Sequence, residues 1–144
     1  MSTTELDAFS SALLEFLHAT RRMRGRIGDE GELSLSQYHL LEPLLDDERL
    51  ATCELALAAG VSAPTATRML SGLAREGLVE RVPCARDRRV VHVILTNDGR
   101  ARVRAKRARG DARRAEIFAS LSAGERREAA RLLERLAAAV EGLR

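Results

Sequence analysis

The residues best suited to chemistry lie in the segment RVPCARDRRVVHVILT, Arg81 to Thr96, where three arginines surround one aspartate. Arg86, Arg88 and Arg89 carry guanidinium groups, which bind phosphate and carboxylate oxygens with several hydrogen bonds at once. Asp87 stands two residues before Arg89, on the same side of an extended chain and within pairing distance. The cluster predicts contact with a polyanion; the alternative is that these charges only keep a hairpin edge soluble.

The distribution of charge along the chain supports the polyanion. Residues 1–80 contain seven arginines against thirteen aspartates and glutamates, whereas residues 81–144 contain seventeen lysines and arginines against eight acids. A GC-rich genome would explain why Lys106 is the only lysine, but it would not explain why acidic residues prevail in residues 1–80 and basic residues in residues 81–144. The C-terminal part of the chain is therefore expected to face a polyanion.

Other chemistries lack the residues that they need. The two cysteines, Cys53 and Cys84, make no disulfide framework, and three scattered histidines give poor support for a metal site. No glycine-rich phosphate loop or nucleophile elbow is present, so we expect neither an enzyme nor a cofactor. No apolar run reaches the ~20 residues that cross a bilayer, and the N-terminus does not resemble a secretory signal. These observations predict one domain of a cytoplasmic protein.

The arginine cluster needs a scaffold, and the flanking sequence predicts one. LVERV and VVHVIL are typical of two short strands, and the loop between them, which contains PCARDR, should protrude. Upstream, Thr52 is predicted to cap a third helix that Gly60 closes, and Ser62 to cap a fourth that Gly77 closes. Pro64 lies in the first turn of the fourth helix, where a missing N–H is harmless. Their shared core is predicted to contain Leu55, Ala59, Val61, Ala66, Met69, Leu70 and Leu73.

Two helices separated by three residues are typical of a helix-turn-helix, and a hairpin directly after it makes a winged helix. A second helix precedes this unit and opens at Ser34, which forms a capping box with Gln37. Pro43 is expected to kink this helix or to end its regular geometry, because proline lacks the N–H that a helix interior requires.

Further helices are predicted at both ends. The first runs from about Thr4 to Arg26 and is ended by Gly28 and Gly31. A long helix follows the Thr96 cap and is expected to begin as a solvent-bathed arm. A last helix is opened by the Ser122 and Glu125 capping box. The outer helices carry apolar stripes that are expected to pack together, within the chain or across a two-fold axis: Leu6, Phe9, Leu13, Phe16 or Leu17 and Met23 in the first, and Leu132, Leu133, Leu136, Val140 and Leu143 in the last.

The predicted fold is mainly α-helical with a small β-hairpin wing, and its motifs resemble the multiple antibiotic resistance regulator (MarR) family of bacterial transcription factors. LSLSQYHLL resembles the Leu-Thr-x-x-Gln opening of that family's second helix. LALAAGVSAPTATRMLSGLAREGLVER resembles its helix-turn-helix and first wing strand, and DRRVVHVILTNDGR its wing, second strand and Leu-Thr-x-x-Gly-Arg start of the long helix. The match covers roughly Leu33 to Arg100; Pro43 and the SAP opening of the fourth helix depart from the pattern.

The resemblance implies a homodimeric, sequence-specific regulator of transcription, most simply a repressor, that binds a pseudo-palindromic operator in double-stranded DNA. It assigns dimerisation to residues 1–33 and 97–144 and DNA binding to the winged helix-turn-helix of residues 34–96. It also implies that the fourth helix enters a major groove and the wing a flanking minor groove. A small molecule or an oxidant would weaken operator binding.

The resemblance implies roles for individual residues. Arg89 would enter the minor groove, Asp87 would hold it in place, and Arg86 and Arg88 would contact phosphates. The alternatives for the fourth helix are that Ser62 only caps it, that Thr67 bonds to its own backbone and that Arg68 pairs with Glu76. The candidate DNA contacts on this helix are Ser62, Pro64, Thr65, Thr67 and Arg68.

Signal-sensing residues are suggested only in outline. His18, Tyr38 and His39 lie on the first two helices, which line the ligand cavity of the family; the alternative is that they are polar core residues. Cys53 and Cys84 are candidates for a thiol switch, because a helix N-terminus or neighbouring arginines favour a thiolate. The alternative is that both thiols are inert.

Two other functions fit parts of the sequence. A winged helix can be a protein-interaction module in which the helix-turn-helix is only a scaffold. A binder of structured RNA would use the arginine-rich long helix, through Arg102, Arg104 and Arg107 together.

Overall fold

The structure is a computed structural model that describes residues 3–25 and 31–143 of the 144-residue chain. The chain forms two compact units, Met1–Glu32 and Leu33–Arg144. Helix α1, Thr3–Gly25, makes up most of the described part of the first unit, in agreement with the predicted first helix. Arg26 and Gly28, predicted at its end, lie outside the described residues. Large apolar side chains of α1 are half or more exposed at Leu6, Phe9, Leu14 and Phe16.

The second unit contains the winged helix that the sequence predicts. Its fold is mainly helical with a small antiparallel sheet, and that prediction is confirmed. Its elements are α2 (Leu35–Leu41), a 3₁₀ helix (Glu42–Leu45), β1 (Leu50–Ala51), α3 (Thr52–Ala59), α4 (Ala63–Arg75), β2 (Val79–Pro83), β3 (Val91–Leu95), α5 (Asn97–Ala119) and α6 (Ala123–Glu141).

Helix α2 begins and ends as its sequence predicts. The Gln37 N–H donates to Ser34 Oγ at 3.1 Å, and the Ser34 N–H donates to Gln37 Oε1 at 2.8 Å, which completes the capping box. The regular helix ends at Leu41, and the chain continues as the 3₁₀ helix that contains Pro43. Proline has no N–H to donate to the preceding turn, which explains the change in geometry.

The helix-turn-helix is formed by α3 and α4. Gly60 ends α3 with φ of 66°, a conformation that favours glycine, and the Thr65 N–H donates to Ser62 Oγ at 3.3 Å to cap α4. The prediction that Thr52 caps α3 was wrong. Ala51 is the capping residue, and its N–H donates to Glu54 Oε2 at 2.7 Å. The Thr52 hydroxyl instead donates to the Val91 carbonyl on strand β3.

The sheet has the strand order β1-β3-β2, and every pair is antiparallel. Strands β2 and β3 agree with the predicted hairpin to within one residue at each end, and Arg81 lies opposite Val93. The Cys84 N–H donates to the Val90 carbonyl at 3.0 Å and closes the loop. Strand β1 was not predicted, because two residues carry no recognisable alternation.

The core of the unit lies beneath the helix-turn-helix and supports it. Burial of one leucine side chain contributes about 1.5–3 kcal/mol, so these contacts fix α3 and α4 far more firmly than any surface bond. Four residues of the predicted core are buried, whereas Ala59, Val61 and Met69 pack at its edge. Its fully buried side chains are Leu40, Leu41, Leu44, Leu55, Leu70, Leu73, Leu78, Val93 and Val103.

The start of α5 is packed against this core, which corrects the expectation of a solvent-bathed arm. Val103 is fully buried, and Gly99 lies so close to Leu78 that a Cβ atom there would be 1.9 Å from its carbonyl oxygen. Thr96 caps the helix by accepting from the Gly99 N–H at 3.0 Å, and its hydroxyl donates to the Gly77 carbonyl at 2.7 Å. The helix therefore leaves the winged unit from a fixed position.

Helix α6 follows the predicted capping box: the Glu125 N–H donates to Ser122 Oγ at 3.3 Å, and the Ser122 N–H to Glu125 Oε2 at 2.8 Å. None of its residues is buried, and its apolar stripe stays exposed at Leu132, Leu133, Leu136 and Val140. Across the two described ranges, we find no helix with the length and apolar character needed to span a membrane.

Candidate nucleic-acid interface

The first turns of α4 present small and polar side chains. The Ser62 hydroxyl donates to Thr65 Oγ1 at 2.8 Å, so both hydroxyls take part in the cap. Thr67 and Arg68 are exposed, and Arg68 makes no ion pair within the described residues, so the alternative pairing with Glu76 is absent. Pro64 is exposed in the first turn. The outer face of α4 thus presents the exposed cation Arg68 among short side chains.

Asp87 holds Arg89 at the tip of the wing. Asp87 Oδ1 accepts from the Arg89 N–H at 3.0 Å and from Nε at 3.2 Å, and Oδ2 accepts from Nη2 at 3.4 Å. The backbone N–H of Arg89, followed by its guanidinium, lowers the pKa of Asp87. The Arg89 side chain is still 91% exposed. The ion pair expected from the spacing is present, and it restricts an arginine that remains open to solvent.

Arg86 and Arg88 also belong to the loop between β2 and β3. Both are exposed, and neither forms an ion pair among the residues described. Asp87 therefore pairs with only one of the three arginines. The guanidinium groups of Arg86 and Arg88 remain available to bind negatively charged groups of another molecule.

A recess of about 310 Å³ separates the wing from the helix-turn-helix. Ala63 and Thr67 of α4 line one side, and Arg89 and Val90 of the wing line the other. The start of α4 and the held arginine therefore border the same space, which places them on a common surface of the unit.

Arg81 crosses the edge of this recess and was not singled out in the sequence. Its Nη2 atom donates to the Thr67 carbonyl and to Ser71 Oγ, both at 2.8 Å. The signal in the sequence was weak: Arg81 is a charged residue two positions after the buried Val79, on the same face of the strand.

Two arginines of the long helix are used inside the unit. The Nη1 and Nη2 atoms of Arg100 donate to the carbonyls of Leu45 and Leu44 at 3.3 and 3.4 Å. Arg107 lies 3.5 Å from Glu42 and 3.8 Å from the carboxylate of Asp46. Both arginines are therefore held against the 3₁₀ helix and the residue that follows it.

The candidate effector residues have different surroundings. The Tyr38 hydroxyl donates to Glu42 Oε1 at 2.7 Å, and burial, together with that carboxylate, raises the pKa of Tyr38. His39 is exposed, with its ring 5.5 Å from that of Tyr38. His18 is exposed on α1 and belongs to the other compact unit. Tyr38 is thus a nearly buried polar group whose hydroxyl has a hydrogen-bond partner.

Both cysteines carry free thiols. Cys53 is exposed at the second residue of α3 and lines the recess, whereas Cys84 is half-buried at the end of strand β2. Within the part of the chain that the structure describes, no three His, Cys, Asp or Glu side chains are grouped as a metal site.

A helix-turn-helix followed by a hairpin with a cationic tip defines the class of winged helix-turn-helix proteins. The chain belongs to the MarR family: the sequence profile of that family matches residues 33–91. An HTH-type transcriptional regulator of Mycobacterium tuberculosis is 32% identical over 117 residues, which cover 81% of each chain. The transcriptional repressor YetL of Bacillus subtilis is 40% identical over 73 residues, 49% of this chain and 44% of that repressor.

Solved structures have the same fold. FabT of Streptococcus pneumoniae, crystallised in complex with DNA, superposes with a TM-score of 0.79 at 22% identity, over 99% of this chain and 100% of that one. The PcaV transcriptional regulator of Streptomyces coelicolor superposes with a TM-score of 0.76 at 25% identity, over 92% and 98% of the two chains. The wing and the long helices are therefore features of a fold used by DNA-binding regulators.

Proposed function

We propose that this protein is a homodimeric repressor that binds a pseudo-palindromic operator in double-stranded DNA and is released by a small-molecule signal. The observation that carries the proposal is the shared recess, with Thr67 of α4 on one side and the held Arg89 on the other. A helix in a major groove and a cation in the adjacent minor groove need this relative placement. Family membership supports regulation of transcription as the outcome.

In this proposal α4 lies in the major groove. Arg68 is exposed and long enough to reach a guanine edge or a phosphate, and Thr67 reaches a phosphate. Pro64 and Thr65, in the first turn, offer short contacts to base edges or a thymine methyl. Ser62 keeps its cap and adds a phosphate contact.

The wing lies in the flanking minor groove. That groove is narrow and strongly negative over A·T-rich DNA, so it favours an extended guanidinium. Arg89 supplies it, and Asp87 restricts its rotamers before binding, which lowers the entropy lost on association. Arg86 and Arg88 neutralise phosphates beside the groove, a contribution that depends on salt and not on sequence.

The experiment begins with selection of bound duplexes from a random pool. We expect a motif with two half-sites about one helical turn, roughly 10 bp, apart, flanked by A·T pairs. Arg89→Ala should weaken operator binding by about 1–3 kcal/mol, roughly 5- to 150-fold in Kd, and remove the preference for A·T flanks. Arg86→Ala is the matched control, because it should weaken all duplexes alike and reduce the salt slope by about one.

Several outcomes would contradict this proposal. If Arg89→Ala and the parent bind the operator with equal affinity at matched salt, the wing does not contribute a minor-groove contact through Arg89. A protein without salt-steep affinity for any duplex would instead be a protein-interaction module. Loss of nucleic-acid binding only when Arg102, Arg104 and Arg107 are replaced together would favour a function in RNA binding. In the structure, Arg102 lies 3.5 Å from Asp98 and Arg107 is held by two acids.

The dimer in this proposal is formed by residues 1–33 and 97–144. Its support is the exposed apolar surface of the outer helices, such as Phe9, Phe118 and Leu133, each at least half exposed in the single chain. An apolar surface of this extent is uncommon in a monomer. In sedimentation experiments, Leu133→Glu should shift the protein toward the monomer. Leu57→Glu is the control, since Leu57 is 84% exposed on α3 and should leave the dimer intact.

The signal in this proposal is a small molecule, and an oxidant is the second candidate. His18, Tyr38 and His39 are the proposed ligand contacts, and the exposure of His39 beside Tyr38 leaves one polar group open to a ligand. Candidate compounds should release the operator from the parent but not from His39→Ala. For the oxidant, peroxide should release the parent and spare the variant with Cys53→Ser and Cys84→Ser. Release of both proteins would exclude a thiol switch.

A further inference from the structure

We infer that Arg81 is a positioning residue that sets the distance between α4 and the wing; this inference rests on the proposed function. In the proposal, the major-groove helix and the minor-groove arginine must reach their grooves at the same time. Their separation must therefore be constant in the free protein, or binding would include the entropy of fixing it. Arg81 is the side chain that joins the two.

The contacts of Arg81 form a closed group of three residues. One guanidinium nitrogen, Nη2, donates to the Thr67 carbonyl and to Ser71 Oγ at 2.8 Å each. The Ser71 hydroxyl in turn donates to the same Thr67 carbonyl at 2.9 Å. Each atom in the group has two partners, so the guanidinium is fixed in direction as well as in distance. The group lies on α4 beside the predicted DNA-contacting residues.

The position of Arg81 on its strand explains how it reaches α4. Side chains alternate along β2, so Arg81 shares a face with the buried Val79, whereas Glu80 and Val82 share the other. Val79 ends the packed core, and the recess begins beyond it. Where the apolar packing between the wing and α4 ends, the hydrogen bonds of Arg81 connect the two elements instead.

The group contributes to geometry more than to stability. Arg81 is exposed, and its hydrogen bonds compete with water, so its loss should leave the fold intact. The wing is joined to the rest of the unit at its base, where β1 pairs with β3, but it borders open space on the side of α4. Loss of Arg81 should therefore let the tip, with Arg89, change its distance from α4.

A double-mutant cycle on the selected operator tests this role. Arg81→Ala should weaken binding about tenfold in the parent but less than twofold in the Arg89→Ala background. The reason is that loss of Arg81 acts by displacing Arg89, and the second background has no Arg89 to displace. Arg86→Ala is the control and should lose the same factor in both backgrounds. Equal losses for Arg81→Ala in both backgrounds would mean that Arg81 contacts DNA directly and would overturn the inference.

Conservative variants separate positioning from charge. Ser71→Ala keeps the charge of Arg81 but removes one of its two acceptors, so it should reproduce part of the loss. Arg81→Lys restores a cation with three donors and should recover most of the affinity. Parent-like binding by both Ser71→Ala and Arg81→Ala would overturn the inference.

A measurement without DNA distinguishes this inference from the proposed function. Amide hydrogen exchange in residues 84–90 should be at least threefold faster in Arg81→Ala than in the parent, with exchange in α5 unchanged. Unchanged exchange in the wing would overturn the positioning role even if the parent binds its operator. If exchange in the wing is faster in Arg81→Ala but the parent binds no duplex, the positioning role of Arg81 stands and the proposed function is refuted instead.

Discussion

Gly99 lies in the first turn of α5, where the long helix crosses the chain that leaves the helix-turn-helix. A Cβ atom at this position would stand 1.9 Å from the Leu78 carbonyl oxygen and 2.8 Å from its carbonyl carbon. Both atoms belong to the backbone, so no side chain can turn away to make room. We predict that Gly99→Ala forces α5 away from the winged unit and destabilises the protein.

The expected loss follows from the contacts that must separate. The new carbon and the Leu78 oxygen have to part by more than about 1 Å to reach even the shortest normal separation. Overpacking of a close contact costs about 1–3 kcal/mol. The same movement strains the 3.1 Å bond from the Thr96 N–H to Leu78, which contributes about 1 kcal/mol more. A loss of roughly 3 kcal/mol lowers Tm by roughly 6–12 °C in a chain of this size.

Gly110→Ala is the matched control because it makes the same change in the same helix. Its Cβ would meet only the guanidinium of Arg114, at 3.3 Å, and that flexible group can move. Alanine is the better helix former by about 0.5–1 kcal/mol, so this variant should be more stable than the parent. Thermal unfolding at equal protein concentration checks both variants, since Tm of the proposed dimer would depend on concentration. If Gly99→Ala unfolds at the same Tm as the parent, the close approach of Gly99 to Leu78 is not a constraint on the fold.

Three further changes test separate parts of the site. Ser62→Ala removes the α4 cap and should lower the free energy of unfolding by about 1 kcal/mol in urea titrations; no change would mean that the cap is replaceable. Tyr38 has a raised pKa, so the folded protein should lose stability as pH rises above about 10, where the unfolded tyrosine ionises, and Tyr38→Phe should lack this loss. Asp87→Asn should weaken operator binding about threefold to tenfold while random duplex binds more tightly, because it frees Arg89 and removes a negative charge; competition assays at constant salt measure both. The lowered pKa of Asp87 keeps the carboxylate ionised until pH falls below about 3.9, so the ion pair should be lost only below that value.

The helices and the hairpin could be predicted because their signals are local. Ser34 with Gln37, Ser62 and Thr96 cap helices with bonds to residues three positions away, and such spacing is readable in a sequence. The pairing of Asp87 with Arg89 is equally local. The wing could thus be recognised with the arginine that it holds.

The long-range polar contacts could not be predicted. Arg100 bonds to carbonyls more than fifty positions away, and Arg107 to Glu42, because α5 packs on the 3₁₀ helix. In the sequence both are members of an arginine run with no distinguishing neighbour. Thr52 failed for a related reason: strand β1 ends at Ala51, and the hydroxyl expected at the cap serves β3 instead. The same holds for Arg81, whose hydrogen-bond partners lie on another element, α4.

Pro43 has an effect beyond the end of α2. The change to a 3₁₀ helix gives Arg100 access to the carbonyls of Leu44 and Leu45, with bonds of 3.3 and 3.4 Å that leave little room for extension. A slide of α5 by one turn, about 5.4 Å along its axis, breaks both bonds and withdraws Arg107 from Glu42. A displacement of the long helix along its axis therefore disrupts this polar joint together with the packing of Val103 in the core.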